Sequence, residues 1–113
     1  MQTLKWFSLR SSPRQKAKWH YRRGMARAKL HQRALAIEDY RMVIQMDGVP
    51  PELVAMALYN RALVRLAMGE QDQAIGDLKG VLAMPGAAVR VKTEARRKLL
   101  RMDRATERIN PEA

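Results

Sequence analysis

The sequence predicts an all-α fold of two consecutive helix–turn–helix units and one further helix. Three observations predict it. The chain repeats itself: a 38-residue shift pairs Pro13 with Pro51, Ala17 with Ala55, Tyr21 with Tyr59, Arg23 with Arg61 and Arg27 with Arg65. The same shift pairs Ala36 with Ala74, Ile37 with Ile75, Asp39 with Asp77, Val43 with Val81, Met46 with Met84 and Gly48 with Gly86. Apolar residues recur at helical spacing, and no stretch alternates apolar and polar long enough to propose a strand. Proline and glycine stand where helices begin and end.

The first helix spans about Arg14 to Leu30, opened by Pro13, because proline at a helix start forgoes a hydrogen bond that position never makes. The second runs from Arg33 to Met46, with Val43, Ile44 and Met46 on its apolar side and Gly48 after its end. Pro51 opens the third, which reaches Met68 and carries Leu58, Ala62 and Leu66 at helical spacing. Gly69 punctuates the turn to the fourth, Gln71 to Met84, marked by Ile75, Leu78 and Leu82. Gly48, Gly69 and Gly86 are all expected to adopt positive φ at helix ends. The offset continues weakly, with Ala95 opposite Ala57 and Lys98 opposite Asn60, so a last helix should span about Ala88 to Ile109. The expected organisation is a tail over 1–12, repeats over 13–48 and 49–86, and a capping helix over 87–110.

These units resemble tetratricopeptide repeats. The resemblance rests on Tyr21-Arg22-Arg23-Gly24-Met25-Ala26 with Ala36-Ile37-Glu38-Asp39-Tyr40, and on Tyr59-Asn60-Arg61-Ala62-Leu63-Val64 with Gly69 and Ala74-Ile75-Gly76-Asp77-Leu78. It covers roughly 14–110 and implies a TPR-like α-α superhelix, right-handed, of two repeats plus a C-terminal capping helix. The period, as from Pro13 to Pro51, is four positions longer than the family's. That excess amounts to about one helical turn, so the first helix of each unit should be a turn longer with stacking retained. At the turn within repeat 1, His31 stands where the family usually has glycine, and histidine tolerates the left-handed conformation better than most residues.

Charge narrows the partner. The 113 residues carry 22 Lys plus Arg against 11 Asp plus Glu, a net charge of +11. The first carboxylate is Glu38, so residues 1–37 are wholly basic; the centre is mildly acidic and residues 86–113 are basic again. Such a distribution calls for an acidic partner. With no cysteine, disulfide scaffolds, thiolate zinc sites and cysteine nucleophiles are excluded. No apolar run approaches the roughly 18 residues of a membrane span, and Met1 to Phe7 lacks the apolar core of a secretory signal. A cytoplasmic protein is expected.

No catalytic constellation appears. His20 and His31 are the only histidines and have no companion ligands, so they read as a helix residue and a turn residue, with no metal or cofactor expected. The chain has no phosphate loop, nucleophile elbow or facing acid pair. It reads as a non-enzyme. Asp39 follows Arg23 at the same separation as Asp77 follows Arg61, which suits a bidentate brace across each hairpin; the alternative role of these arginines is ligand binding. Arg27 and Arg65 have no repeated acidic partner in the sequence and stay open.

In the resembled family, a groove on the inner face of the first helices holds a peptide. Carried over, that groove comprises Lys18, Tyr21, Arg22, Met25 and Lys29, then Met56, Tyr59, Asn60, Leu63 and Ala67, then Glu94, Arg97, Lys98 and Arg101. Asn60 and Lys98 match members of the carboxylate clamp in the chaperone-binding branch, whose first-repeat Lys and Asn are here Tyr21 and Met25. A basic groove with aromatic and Met walls suits an acidic, partly apolar segment. The expected function is therefore a protein-binding adaptor, scaffold or assembly factor. With so few repeats, self-association is also open.

The alternative from another class is a nucleic-acid-binding accessory protein that uses the two basic ends. Only six aromatics and no reading motif accompany the charge, and Arg96, Arg97, Lys98 and Arg101 also serve as the polar surface of an end cap. The segment Leu4-Lys5-Trp6-Phe7-Ser8-Leu9-Arg10 is expected to pack on a partner or on the fold, since Trp6 and Phe7 are poorly suited to full exposure. Its attachment to an anionic membrane is the weaker reading.

Overall fold

A computed structural model describes residues 11–109. It is all-α, with α1 Pro13–Lys29, α2 Arg33–Gln45, α3 Pro51–Ala67, α4 Gln71–Ala83 and α5 Val89–Ile109. The boundaries of α3 and α4 repeat those of α1 and α2 at the offset that pairs Pro13 with Pro51. The tail expected over 1–12 lies outside the described residues except for Ser11 and Ser12, and so does residue 110. Among the described residues, no helix is long and apolar enough to cross a membrane.

Local chemistry sets the helix ends. Ser12, expected as the last residue of the tail, is instead the N-cap of α1: its Oγ accepts from the Gln15 amide at 3.1 Å while Gln15 Oε1 accepts from the Ser12 amide at 2.9 Å. This reciprocal box satisfies two amides that the first turn leaves without partners. Both intra-pair turns close alike. The amides of Gln32 and Glu70 donate to Arg27 and Arg65 carbonyls at 2.9 Å, and those of His31 and Gly69 to Ala28 and Leu66 at 3.1 Å. That Schellman pattern needs a left-handed residue at its centre. His31 supplies φ 59° and Gly69 supplies φ 79°, so histidine does serve in glycine's place.

Gly86 corrects an expectation. Gly48 has positive φ, but Gly86 does not. What Gly86 provides is room, since a Cβ there would stand 2.5 Å from Pro51 Cβ. Gly48 packs in the same way on Pro13, with a Cβ 3.1 Å from Pro13 Cγ. Each glycine that closes a helix pair therefore lies against the proline that opens it.

Successive helices pack on one another, and α3 is shared between two apolar clusters. Leu53, Ala57 and Val64 join Ala17, Tyr21, Ala36, Tyr40 and Val43 from α1 and α2. Ala55 and Ala62 join Ala74, Leu78, Val81, Ala87 and Ala95. A helix buried on two sides must be apolar around most of its circumference, which is why α3 is the most apolar of the five. Many of these positions are fully buried alanines, so the helices approach closely. Tyr40 is the largest fully buried side chain, and burial pushes its hydroxyl pKa up to about 12. The result is elongated, with extents of 59 × 30 × 17 Å. In α5 only Ala95 is buried, and every described residue from Asp103 onward is exposed.

Candidate functional site

Two buried carboxylates organise the polar interior. Asp39, 1% exposed, accepts from Arg23 Nη2 at 2.8 Å and from Nε at 3.1 Å. Arg27 Nη1 reaches its other oxygen at 2.9 Å, and His20 Nδ1 lies 3.0 Å from Oδ1. In the second pair Asp77 accepts from Arg61 Nε at 3.0 Å, Arg61 Nη2 at 2.8 Å and Arg65 Nη1 at 2.9 Å. The bracing expected of Arg23 and Arg61 is thus present. Arg27 and Arg65, for which the sequence offered no acidic partner, share those same carboxylates. Buried ions are tolerated when paired and hydrogen-bonded, as these are.

Burial alone would raise the Asp39 pKa. Hydrogen bonds from Arg23 and His20, with the charges of Arg23 and Arg27, outweigh it and hold the carboxyl below its ordinary value. A depressed folded pKa means this stabilisation is complete above the unfolded carboxylate range, about pH 4, and is lost as pH falls through the folded value. Thermal melts by circular dichroism should therefore show the midpoint dropping below about pH 4. The drop should shrink in Asp39→Asn; an unchanged acid profile in that variant would remove Asp39 from the acid response.

A groove of about 470 Å³ lies between α1 and α3. Arg14, Lys18 and Arg22, one turn apart along α1, supply its cations, because residues four apart share a helix face. Tyr21 and Leu53 are buried and Met25 and Met56 half-buried in its wall. Pro50, Glu52 and Ala88 complete it. The size and largely apolar lining are those of a ligand cleft. The Tyr21 hydroxyl accepts from Asn60 Nδ2 at 2.9 Å, and Asn60 Nδ2 also donates to the Met56 carbonyl at 2.9 Å. Asn60 is thereby a tie between α1 and α3, with both N–H groups engaged and none offered to a peptide carboxylate.

Of the residues expected in the groove, the structure brings Lys18, Tyr21, Arg22, Met25 and Met56 together there. The others lie elsewhere. Lys29 is exposed in the last turn of α1, and Leu63 is half-buried further along α3. Tyr59 sits by α5, where burial and the Glu94 charge raise its pKa and Arg101 opposes them. Arg97 pairs with Glu94 at 3.0 Å. Lys98 and Arg101 border a separate hollow of about 270 Å³ with Gln71, Ile75 and Met102. Arg14 and Leu53 were missed, though Arg14 precedes Lys18 by four residues and Leu53 precedes Met56 by three, the spacing that shares a helix face.

Fold and site together define a chain of packed α-helices with paired Arg–Asp braces and a cationic, apolar-walled groove. No protein-family model, curated protein or solved structure matches the chain.

Proposed function

We propose that this chain is a short tetratricopeptide-like array, a cytoplasmic adaptor or assembly factor that holds an acidic, partly apolar segment of a partner protein in the α1/α3 groove. The observation that carries the reading is the line of Arg14, Lys18 and Arg22 beside the apolar wall of Tyr21, Met25, Leu53 and Met56. Exposed cations steer an acidic segment towards the groove, and apolar side chains of that segment gain burial against the methionines, whose flexible thioethers adapt to varied shapes. The 38-residue duplication and the family-like motif pairs support the array. Asn60 does not act as a clamp in this reading; affinity comes from charge and apolar burial.

The test is titration of a short fluorescent peptide of alternating Glu and Leu by fluorescence anisotropy. Lys18→Glu/Arg22→Glu should weaken binding by more than tenfold, about 1.4 kcal/mol or more, with helical content unchanged. Equal affinity for the variant and the parent chain would overturn the groove assignment.

A further inference from the structure

The groove leaves the outward face of α5 without a role. Its side chains are ordered in a way that charge alone does not require. At the α-helical repeat, Arg90, Arg97, Arg101, Arg104 and Arg108 fall within an arc of about 60° and run through five turns of the helix. All five are exposed. Successive spacings of seven, four, three and four residues are those that keep side chains on one face. The acids of α5, Glu94, Asp103 and Glu107, fall outside this arc; Glu94 borders it, paired with Arg97. The opposite face is occupied: Ala95 is buried, with Val91, Leu99 and Met102 packed against the second apolar cluster. Packing against α4 and α3 leaves these arginines on the exposed side of α5, with Arg101 also at the edge of the hollow bordered by Gln71 and Ile75.

We infer that this arginine rail docks the sugar–phosphate backbone of double-stranded nucleic acid, independently of the groove and of sequence. Guanidinium groups present a planar fork that matches phosphate oxygens, and every cation of the rail is arginine. Spacings of about 4.5 to 6 Å between the last four arginines suit a regular ladder of anions. Among the described residues α5 itself carries no aromatic side chain, and Tyr59, beside Arg101, is half-buried. Among them, then, no exposed ring lies along the rail for an unpaired base to stack on, and a duplex is favoured over a single strand. Membrane insertion is disfavoured because Val91, Ala95, Leu99 and Met102 of α5 are packed in the second apolar cluster, whereas an interfacial helix must bury its apolar side in lipid. Of the large apolar side chains of α5, only Val89, Leu100 and Ile109 remain exposed.

The experiment measures anisotropy of a labelled random-sequence duplex across a KCl series. Five phosphate contacts give a slope of log K against log salt near −4.5. Arg97→Gln/Arg101→Gln/Arg104→Gln should flatten it by about three and reduce low-salt affinity by about tenfold or more. Arg14→Gln/Lys18→Gln/Arg22→Gln removes the same charge from α1 and should change the slope by less than about one. The proposal is overturned if the unmodified chain does not bind the duplex, or if the two triple variants lose affinity equally, which would make net charge the cause. It is also overturned if polyglutamate of matched charge competes as well as the duplex, or if rail-dependent binding is seen only with anionic vesicles.

Discussion

Asp77→Ala should cost more stability than Asp39→Ala, although Asp39 holds more partners. Each substitution deletes a buried carboxylate and leaves its arginines behind. Breaking a buried pair from one side costs about 3–5 kcal/mol, chiefly because the surviving charge is stranded. The size of that penalty depends on how far the survivor can rehydrate. Arg23 and Arg27 are 39% and 25% exposed, whereas Arg61 and Arg65 are 15% and 19% exposed. Water reaches the first pair more readily. Arg65 Nε is also buried with no hydrogen-bond partner among the described residues, so losing Asp77 removes a bond from a side chain already short of one. Urea unfolding should place Asp77→Ala near the upper end of that range and Asp39→Ala near the lower. Against a total of about 5–15 kcal/mol for a domain, either loss is a large fraction. Costs below about 1 kcal/mol for both would reduce the braces to ordinary surface ion pairs.

The helices were legible because their signals are local. Pro13 and Pro51 open α1 and α3, while His31 and Gly69 fill the left-handed turns that short sequence context demands. The Arg23–Asp39 and Arg61–Asp77 braces were legible because the repeat preserves their spacing twice. Convergence was harder to read. Arg27 and His20 reach Asp39 from positions about one turn either side of Arg23, yet nothing in the sequence says that one carboxylate serves two arginines and a histidine. Gly86 reads as a conformational glycine and is a steric one, because its neighbour Pro51 stands far back in the chain, at the start of α3. The groove divided for a similar reason. Helical spacing shows which residues share a face of one helix, but which faces meet across helices depends on packing. Tyr59 and Lys98 therefore sit by α5 and α4 rather than beside Lys18.

Gly24→Ala should destabilise the chain by up to about 2 kcal/mol, the balance of an overpacking cost and a propensity gain, and Tyr40→Leu should rescue part of the loss. In a helix interior, Gly to Ala is ordinarily worth about 1 kcal/mol of stabilisation. Here the new Cβ would stand 2.7 Å from Tyr40 Cε1 and 3.0 Å from Cδ1. The ring is 1% exposed and enclosed by the first apolar cluster, so it has little room to retreat. Overpacking of this kind costs about 1–3 kcal/mol, and a ring this enclosed sets the cost above the propensity gain. The second helix pair carries the other solution at these positions: Ala62 and Leu78, both fully buried. Tyr40→Leu alone leaves a void where the ring was and should cost about 2 kcal/mol. Joined with Gly24→Ala, the smaller side chain admits the methyl and the methyl fills part of the void, so the double variant should be more stable than the two losses added. A double-mutant cycle in urea should give a favourable coupling of about 1 kcal/mol or more, whereas additivity within about 0.5 kcal/mol would mean that the ring does not limit how closely α1 approaches α2.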